Sequence, residues 1–127
     1  MRDNHGAYDP RGDLRQLRGK GGTASYLNVK HRIKWLRNRY PDSIMQTEHI
    51  ELTAQRAIFR ATVIKMDGSG REVGTATGYG SETPSDFGDY IEKAETKAIG
   101  RALAALGFGT QFVGGEGYRI VDSPVDQ

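Results

Sequence analysis

The stretch from Asp89 to Thr110, DYIEKAETKAIGRALAALGFGT, constrains the fold more than any other part of the chain. Ile91, Ala94, Ala98, Ile99, Ala102, Leu103 and Leu106 recur at helical spacing and line one face, while Glu92, Lys93, Glu95, Lys97 and Arg101 cover the rest. This pattern predicts an amphipathic helix. Its apolar stripe is rich in alanine, a side chain short enough to let the helix lie close to a sheet, and Gly107 and Gly109 supply stop signals where the pattern ends. Gly100 sits inside the pattern, where glycine costs roughly 1 kcal/mol against alanine, and so predicts a close approach by another element or a ligand.

Upstream, Asn28 can cap a helix running to about Tyr40, with Val29, Ile33, Leu36 and Tyr40 inside and Lys30, Lys34, Arg37 and Arg39 outside. Trp35 falls at the edge of the inner face, and Pro41 marks the end. Ile44 to Leu52 and Arg56 to Met66 read as strands, the second alternating Ala57, Phe59, Ala61 and Val63 with Ile58, Arg60, Thr62 and Ile64. Asp67-Gly68-Ser69-Gly70 is a strong turn signal, and Glu72 to Tyr79 completes a hairpin. The predicted fold is therefore α+β: a helix, a three-stranded antiparallel sheet and a long helix.

Residues 1–24 carry too few apolar side chains to pack on their own, and are expected to be mobile without a partner. The tail after Gly114 is glycine-rich and then acidic, and gives no structural signal. With 127 residues and 36% apolar content, the chain suits one small domain with a thin core that neighbouring subunits can help complete. No apolar run approaches the roughly 18 residues of a membrane span, so the cytoplasm is the expected compartment and no membrane partner is expected. The absence of cysteine excludes disulfides and thiolate sites.

The net charge of +2 conceals an asymmetry. Met1 to Pro41 holds ten Lys and Arg against three Asp, a net +7, whereas Asp42 to Gln127 holds eight against thirteen, a net −5. Such a split suits either a polyanion-binding surface or head-to-tail attraction between subunits. Catalysis finds little support, because His5, His31 and His49 are scattered and no thiol or Ser-His-acid set is present. Asp42 with Glu95 and Lys97 resembles the carboxylates and lysine of a metal nuclease, but the latter two fall on a helix and not on a strand. Gly19 to Thr23 lacks the Walker spacing for ATP. No enzyme activity, cofactor or metal is expected.

The hairpin segment ATVIKMDGSGREVGTATGYGSE from Ala61 to Glu82, then Ile91-Glu92-Lys93-Ala94 and Gly100-Arg101-Ala102-Leu103 with Gly107 after it, resembles the core of the single-strand annealing proteins of the Rad fifty-two and DdrA-like superfamily. Upstream, Arg18, the glycine-rich run Gly19-Lys20-Gly21-Gly22, Tyr26-Leu27 and His31-Arg32-Ile33 follow the same order, so the resemblance covers about residues 15–112. It implies a β-β-β-α core at residues 25–112, between a basic glycine-rich arm at 1–24 and a flexible tail at 113–127. The implied function is single-stranded DNA binding and ATP-independent annealing of complementary strands in recombination or repair, by a homo-oligomeric ring or filament. A host or phage recombination protein is a further candidate partner.

An annealing protein must hold phosphates and leave the pairing edges of bases free. By the resemblance, Arg18 and Arg101 line the DNA groove, Lys20 lies in the glycine loop and Tyr26 lies near the groove. Arg15, Arg60, Lys65 and Lys97 complete the candidate nucleic-acid-binding set, with Arg60 and Lys65 on the hairpin facing either DNA or solvent. The chain departs from the eukaryotic pattern at Gly100 and Ala104, which replace basic residues beside the helix arginine, and in a glycine loop about two residues shorter by alignment of the glycine run. Arg2, Arg11, Arg15, Arg18 and Lys20 of the arm can return some of that charge. The alternative is a structural or protein-binding oligomerisation module without annealing activity, since a fold does not dictate a function.

Overall fold

The computed structural model describes residues 7–19, 22–109 and 119–120. After a single turn of 3-10 helix at Pro10–Asp13, strands β1 (Arg15–Gly19) and β2 (Gly22–Tyr26) form an antiparallel pair, with Arg15 opposite Tyr26 and Arg18 opposite Thr23. Helix α1 (Val29–Arg39) leads into β3 (Ile44–Leu52), β4 (Ala57–Met66) and β5 (Glu72–Glu82), an antiparallel sheet in that order. Helix α2 (Tyr90–Ala105) follows, and the short β6 (Arg119–Ile120) adds in parallel to β2. The helix, three-strand sheet and long helix expected from the sequence are all present.

Local chemistry sets the boundaries. Asp67 shapes the β4–β5 turn, its Oδ1 accepting from Ser69 N at 2.9 Å, Ser69 Oγ at 2.7 Å and Arg71 N at 3.0 Å, and Gly70 takes the positive φ of 84° that such a turn needs. Those bonds, that of the Ser69 hydroxyl foremost, hold the Asp67 carboxyl below the ordinary range. Helix α2 ends in a Schellman motif: Phe108 N donates to Leu103 O at 2.8 Å, Gly107 N to Ala104 O at 3.0 Å, and Gly107 adopts φ 99°. Gly107 is thus the stop signal in use. Asn28 precedes α1 as expected, and its carbonyl accepts from His31 and Arg32, but its side chain makes no capping bond.

Alternation along β4 resolves into two faces. Ala57, Phe59, Ala61 and Val63 are buried beneath α2, and Ile58, Arg60, Thr62 and Ile64 lie on the other face. Across β5, Gly78 and Gly80 pair with Ala61 and Phe59 and so face α2. A Cβ on Gly78 would lie 2.5 Å from both Ala98 O and Ala102 N, and one on Gly80 would lie 2.3 Å from Ala94 O. The helix therefore rests backbone on backbone, with Ala94, Ala98 and Ala102 as its fully buried stripe. Ile91, one turn before the first of these alanines, is 36% exposed, contrary to its place in the apolar pattern.

A second face of α2 meets α1. Gly100 is buried because Val29 Cγ2 would stand 2.8 Å from any Cβ there, so the neighbour its presence predicts is another helix. Arg32, among the fully buried side chains, donates from Nε to Leu27 O at 2.9 Å and from Nη1 to Gly100 O at 3.0 Å, with its guanidinium 5.2 Å from the Tyr26 ring centroid. Trp35 and Tyr40 meet the Phe108 ring edge to face at 5.1 and 6.3 Å. The glycine- and arginine-rich segment before residue 25, read as unable to pack, instead supplies β1 and most of β2. Pairing across the hairpin and burial of Ala24, Ser25 and Tyr26 compensate for its poor apolar content.

Gly78→Ala and Gly80→Ala should each lower unfolding free energy by about 3 kcal/mol, the upper end for an overpacked core, because the obstructing atoms are backbone and cannot rotate away. Gly88→Ala, where a Cβ meets nothing within 4 Å, should change it by less than about 0.5 kcal/mol. Urea titrations of the three variants check this. In the same assay Arg32→Lys should cost about 2 kcal/mol, since an ammonium cannot keep both carbonyl bonds and the cation–π contact over Tyr26.

Candidate nucleic-acid interface

Strand β5 is an edge strand of its sheet, so alternate carbonyls along it have no strand to pair with. Because α2 lies directly on this strand, side chains one position before its buried alanines emerge beside that edge. Lys97 and Arg101 occupy those positions. Arg101 Nη1 donates to Tyr79 O at 2.9 Å and Lys97 Nζ to Ser81 O at 3.3 Å, while Lys97 also pairs with the buried Glu82 carboxylate at 2.5 Å. The two cations cover the exposed edge.

The glycines that admit α2 also decide where Tyr79 points. With Gly78 and Gly80 facing the helix, Tyr79 must face outward, and it is 50% exposed. On that outer face it sits opposite Arg60, whose Nη1 approaches the Tyr79 hydroxyl at 3.5 Å. Arg60 donates from Nε to Glu48 Oε1 at 3.1 Å and from Nη2 to the same oxygen, and these bonds push the guanidinium pKa further above its ordinary value. Exposed Tyr79 is thereby contacted by two arginines, Arg60 at its hydroxyl and Arg101 at its main-chain carbonyl. Glu48 offsets the charge of Arg60 and Glu82 that of Lys97. The hydrogen bond of exposed Arg101 goes to a neutral carbonyl, which leaves its full charge for an incoming anion.

Three of the residues singled out from sequence thus converge at the β5 edge: Arg60, Lys97 and Arg101. Arg15 and Arg18 lie apart, on β1 of the other sheet. Arg18 is exposed, whereas Arg15 is half-buried with its Nε lacking a hydrogen-bond partner among the described residues. Lys20 lies outside the described residues. Tyr26 is 2% exposed and serves as the floor for Arg32, so a nucleic acid cannot reach its ring across this surface. Lys65 is half-buried with its Nζ 5.0 Å over the Tyr40 ring, in a cleft of about 320 Å³ shared with Trp35, Arg39 and Phe108.

Two residues escaped the sequence reading. Tyr79 could have been found from its glycine neighbours, since an aromatic between two helix-facing glycines on a strand must turn outward. Arg32 connects the separate parts: it stacks on Tyr26, which sits opposite Arg15, and bonds the carbonyl of Gly100 beside Arg101. It is a positioning residue. Among the described residues no group of three or more His, Asp or Glu side chains is arranged to hold a metal ion, and no helix is long and apolar enough to cross a membrane.

No curated protein matches the chain. A family model does, over residues 33–106, the span from within α1 through the end of α2. Its description, an Slr1353 N-terminal dsRNA-binding domain-like domain, points to a nucleic-acid-binding fold and does not name a single-strand annealing protein. The match covers more than half of the 127 residues, and the chain belongs to this Slr1353 N-terminal dsRNA-binding domain-like family.

Proposed function

We propose that the chain binds single-stranded DNA by its phosphate backbone along the β5 edge, and that it promotes annealing of complementary strands without ATP or metal, as a homo-oligomer acting in recombination or repair. The observation that carries this reading is the exposed Tyr79 ring, with Arg60 at its hydroxyl and Arg101 at its main-chain carbonyl. A base offers its π-face to such a ring only when it is unstacked, as in a single strand, and the two arginines that contact this tyrosine suit neighbouring phosphates. Stacking also leaves the Watson–Crick edge free, which annealing requires. The resemblance of the hairpin and the alanine-rich helix to annealing proteins supports the same choice.

Self-association is supported by the opposite sheet edge. Strand β3 exposes Ile44, Ile50 and Leu52 by 42, 50 and 44%, and a bulge between His49 and Glu51 interrupts its pairing with β4. Such an edge suits contact with a second copy. Duplex RNA is the competing ligand, favoured by the family description; it presents phosphates but no unstacked base to Tyr79. The expected setting is the cytoplasm, and no catalytic activity is invoked.

Arg101→Ala should weaken binding to all single-stranded sequences alike and make the slope of log affinity against log salt shallower by about 0.7, the value for one lost phosphate contact on a single strand. Tyr79→Ala should weaken binding to single strands by about 1–3 kcal/mol with an unchanged salt slope, and leave binding to an RNA duplex as it was. Equal loss for duplex and single strand would transfer the reading to duplex RNA. No measurable affinity for either at low salt would favour a purely structural module.

Pairing of two labelled complementary oligonucleotides should accelerate in a chelator-containing buffer without nucleotide, and less so with Arg101→Ala, because pairing is downhill and needs only concentrated, accessible strands. Tight binding with no acceleration would make the chain a protective single-strand-binding module. A monomeric mass at micromolar concentration, with and without DNA, would exclude the oligomer.

A further inference from the structure

The segment ahead of β1 lies against the outer face of α1. Tyr8 N donates to Asn38 Oδ1 at 2.9 Å, Arg39 Nη2 reaches Tyr8 O at 3.5 Å, and Lys34 Nζ stands 5.0 Å from the Tyr8 ring centroid. The Tyr8 hydroxyl donates to Asp13 Oδ2 at 2.5 Å, and the same oxygen lies 3.5 Å from His31 Nδ1. Asp9 is engaged within the segment, accepting from Arg11 Nη2 at 2.7 Å and from Arg11 N at 3.0 Å. Asp13 is the carboxylate that the segment presents to His31, whereas Asp9, paired with Arg11, also feels the charge of Arg39.

Helix α1 itself, VKHRIKWLRNR, contains no acidic residue, and Lys30, Lys34, Arg37 and Arg39 are all exposed. A helix face of this composition is a run of like charge that attracts anionic groups from outside the helix. Asp13 is one such group, placed beside His31 in the first turn of the helix. The Tyr8 hydrogen bond first, then the charges of His31, Lys34 and Lys30, hold its carboxyl below the ordinary range.

We propose that the outer face of α1 is a second phosphate-binding surface of this protein, and that the Tyr8–Asp13 segment is an autoinhibitory clasp that lays the Asp13 carboxylate where a backbone phosphate would otherwise sit. The inference rests on the nucleic-acid reading but uses a surface separate from the β5 edge. What must yield is the Asp13 carboxylate and not the whole segment, whose Pro10 is buried and whose Tyr8 packs against the core. An exposed ion pair contributes about 0.2–1 kcal/mol, whereas a strand brings several phosphates at once and gains from the release of its counterions. Displacement of the Asp13 carboxylate by a phosphate is therefore favourable at low salt and lost at high salt.

Asp13→Asn is the direct test, because it removes the charge while retaining an oxygen for the Tyr8 hydroxyl. With a labelled oligothymidylate as probe, affinity should rise about two- to fivefold at low salt and the salt slope should steepen by about 0.7. Tyr8→Phe, which frees the Asp13 carboxylate from its hydroxyl partner, should give a smaller gain of the same sign and guards against a folding defect in the first variant. Adding Lys30→Gln and Lys34→Gln to Asp13→Asn should abolish the gain. An unchanged affinity and slope in folded Asp13→Asn overturns the clasp, and a gain that survives loss of both lysines overturns the α1 surface. Arg101→Ala in the same titration separates the two sites: its loss of binding beside a silent Asp13→Asn leaves the β5 reading standing alone, and the reverse pattern leaves the α1 surface standing alone.

Discussion

Contact between the backbones of α2 and β5 determines where everything else on this surface can go. With Gly78 and Gly80 on the strand and Ala94, Ala98 and Ala102 on the helix, the two elements are separated by little more than main chain. A sheet and helix normally meet through larger side chains, which tolerate some sliding and rotation. Here a shift of the helix along the strand would drive alanine methyls into backbone atoms, so its position is fixed closely. That fixes Lys97 and Arg101 against the edge carbonyls of Ser81 and Tyr79. It also forces Tyr79 to the outer face. The packing constraint and the candidate site are one feature seen from its two sides.

Arg32 extends this rigidity to the rest of the chain. A buried guanidinium is costly unless its donors are used, and two of them are spent on the carbonyls of Leu27 and Gly100. Leu27 belongs to the approach to α1 and Gly100 to the middle of α2, so a single side chain ties the two helices while its face rests on Tyr26 of the β1–β2 hairpin. Gly100 makes this possible, because a side chain there would meet both Val29 and Arg32. The glycine that weakens α2 as an isolated helix is therefore the one that lets α1 and its arginine dock.

The parts legible in the sequence were those governed by local periodicity. Alternation along Ala57 to Met66, the Asp67 turn and the alanine stripe each reflect one element and its immediate neighbour, and each is found as read. What could not be read depends on remote partners. Arg32, between Lys30 and Lys34, has the sequence context of a surface residue, and only the carbonyls of Leu27 and Gly100 make its burial tolerable. Ile91 has the period of a core residue, yet it is 36% exposed, on the turn before the buried alanine stripe. The β1–β2 hairpin was invisible for the same reason, since its strands are held by pairing and by burial of Tyr26 under Arg32, not by an apolar pattern of their own. Of the candidate site, the cations at 60, 97 and 101 were legible, whereas their convergence on Tyr79 required the sheet register.

On the proposed reading, the edge of β5 joins protection to recognition. Unpaired strand carbonyls invite pairing with another chain, and Arg101 and Lys97 block that by donating to them. A carbonyl is a weaker partner for a guanidinium than a phosphate, because only the latter bears a charge. On the proposed reading, a phosphate would therefore draw Arg101 away from Tyr79 O without leaving the arginine unsatisfied, and the carbonyl so released is at the exposed edge where water can replace it. Lys97 is held differently: its ion pair with a carboxylate that is only 6% exposed would leave Glu82 as an uncompensated buried charge if broken. The two neighbouring cations thus divide the work, Lys97 keeping the edge closed and Arg101 remaining exchangeable. Arg60, tied to Glu48 at the surface where water can rehydrate the carboxylate, lies between these limits.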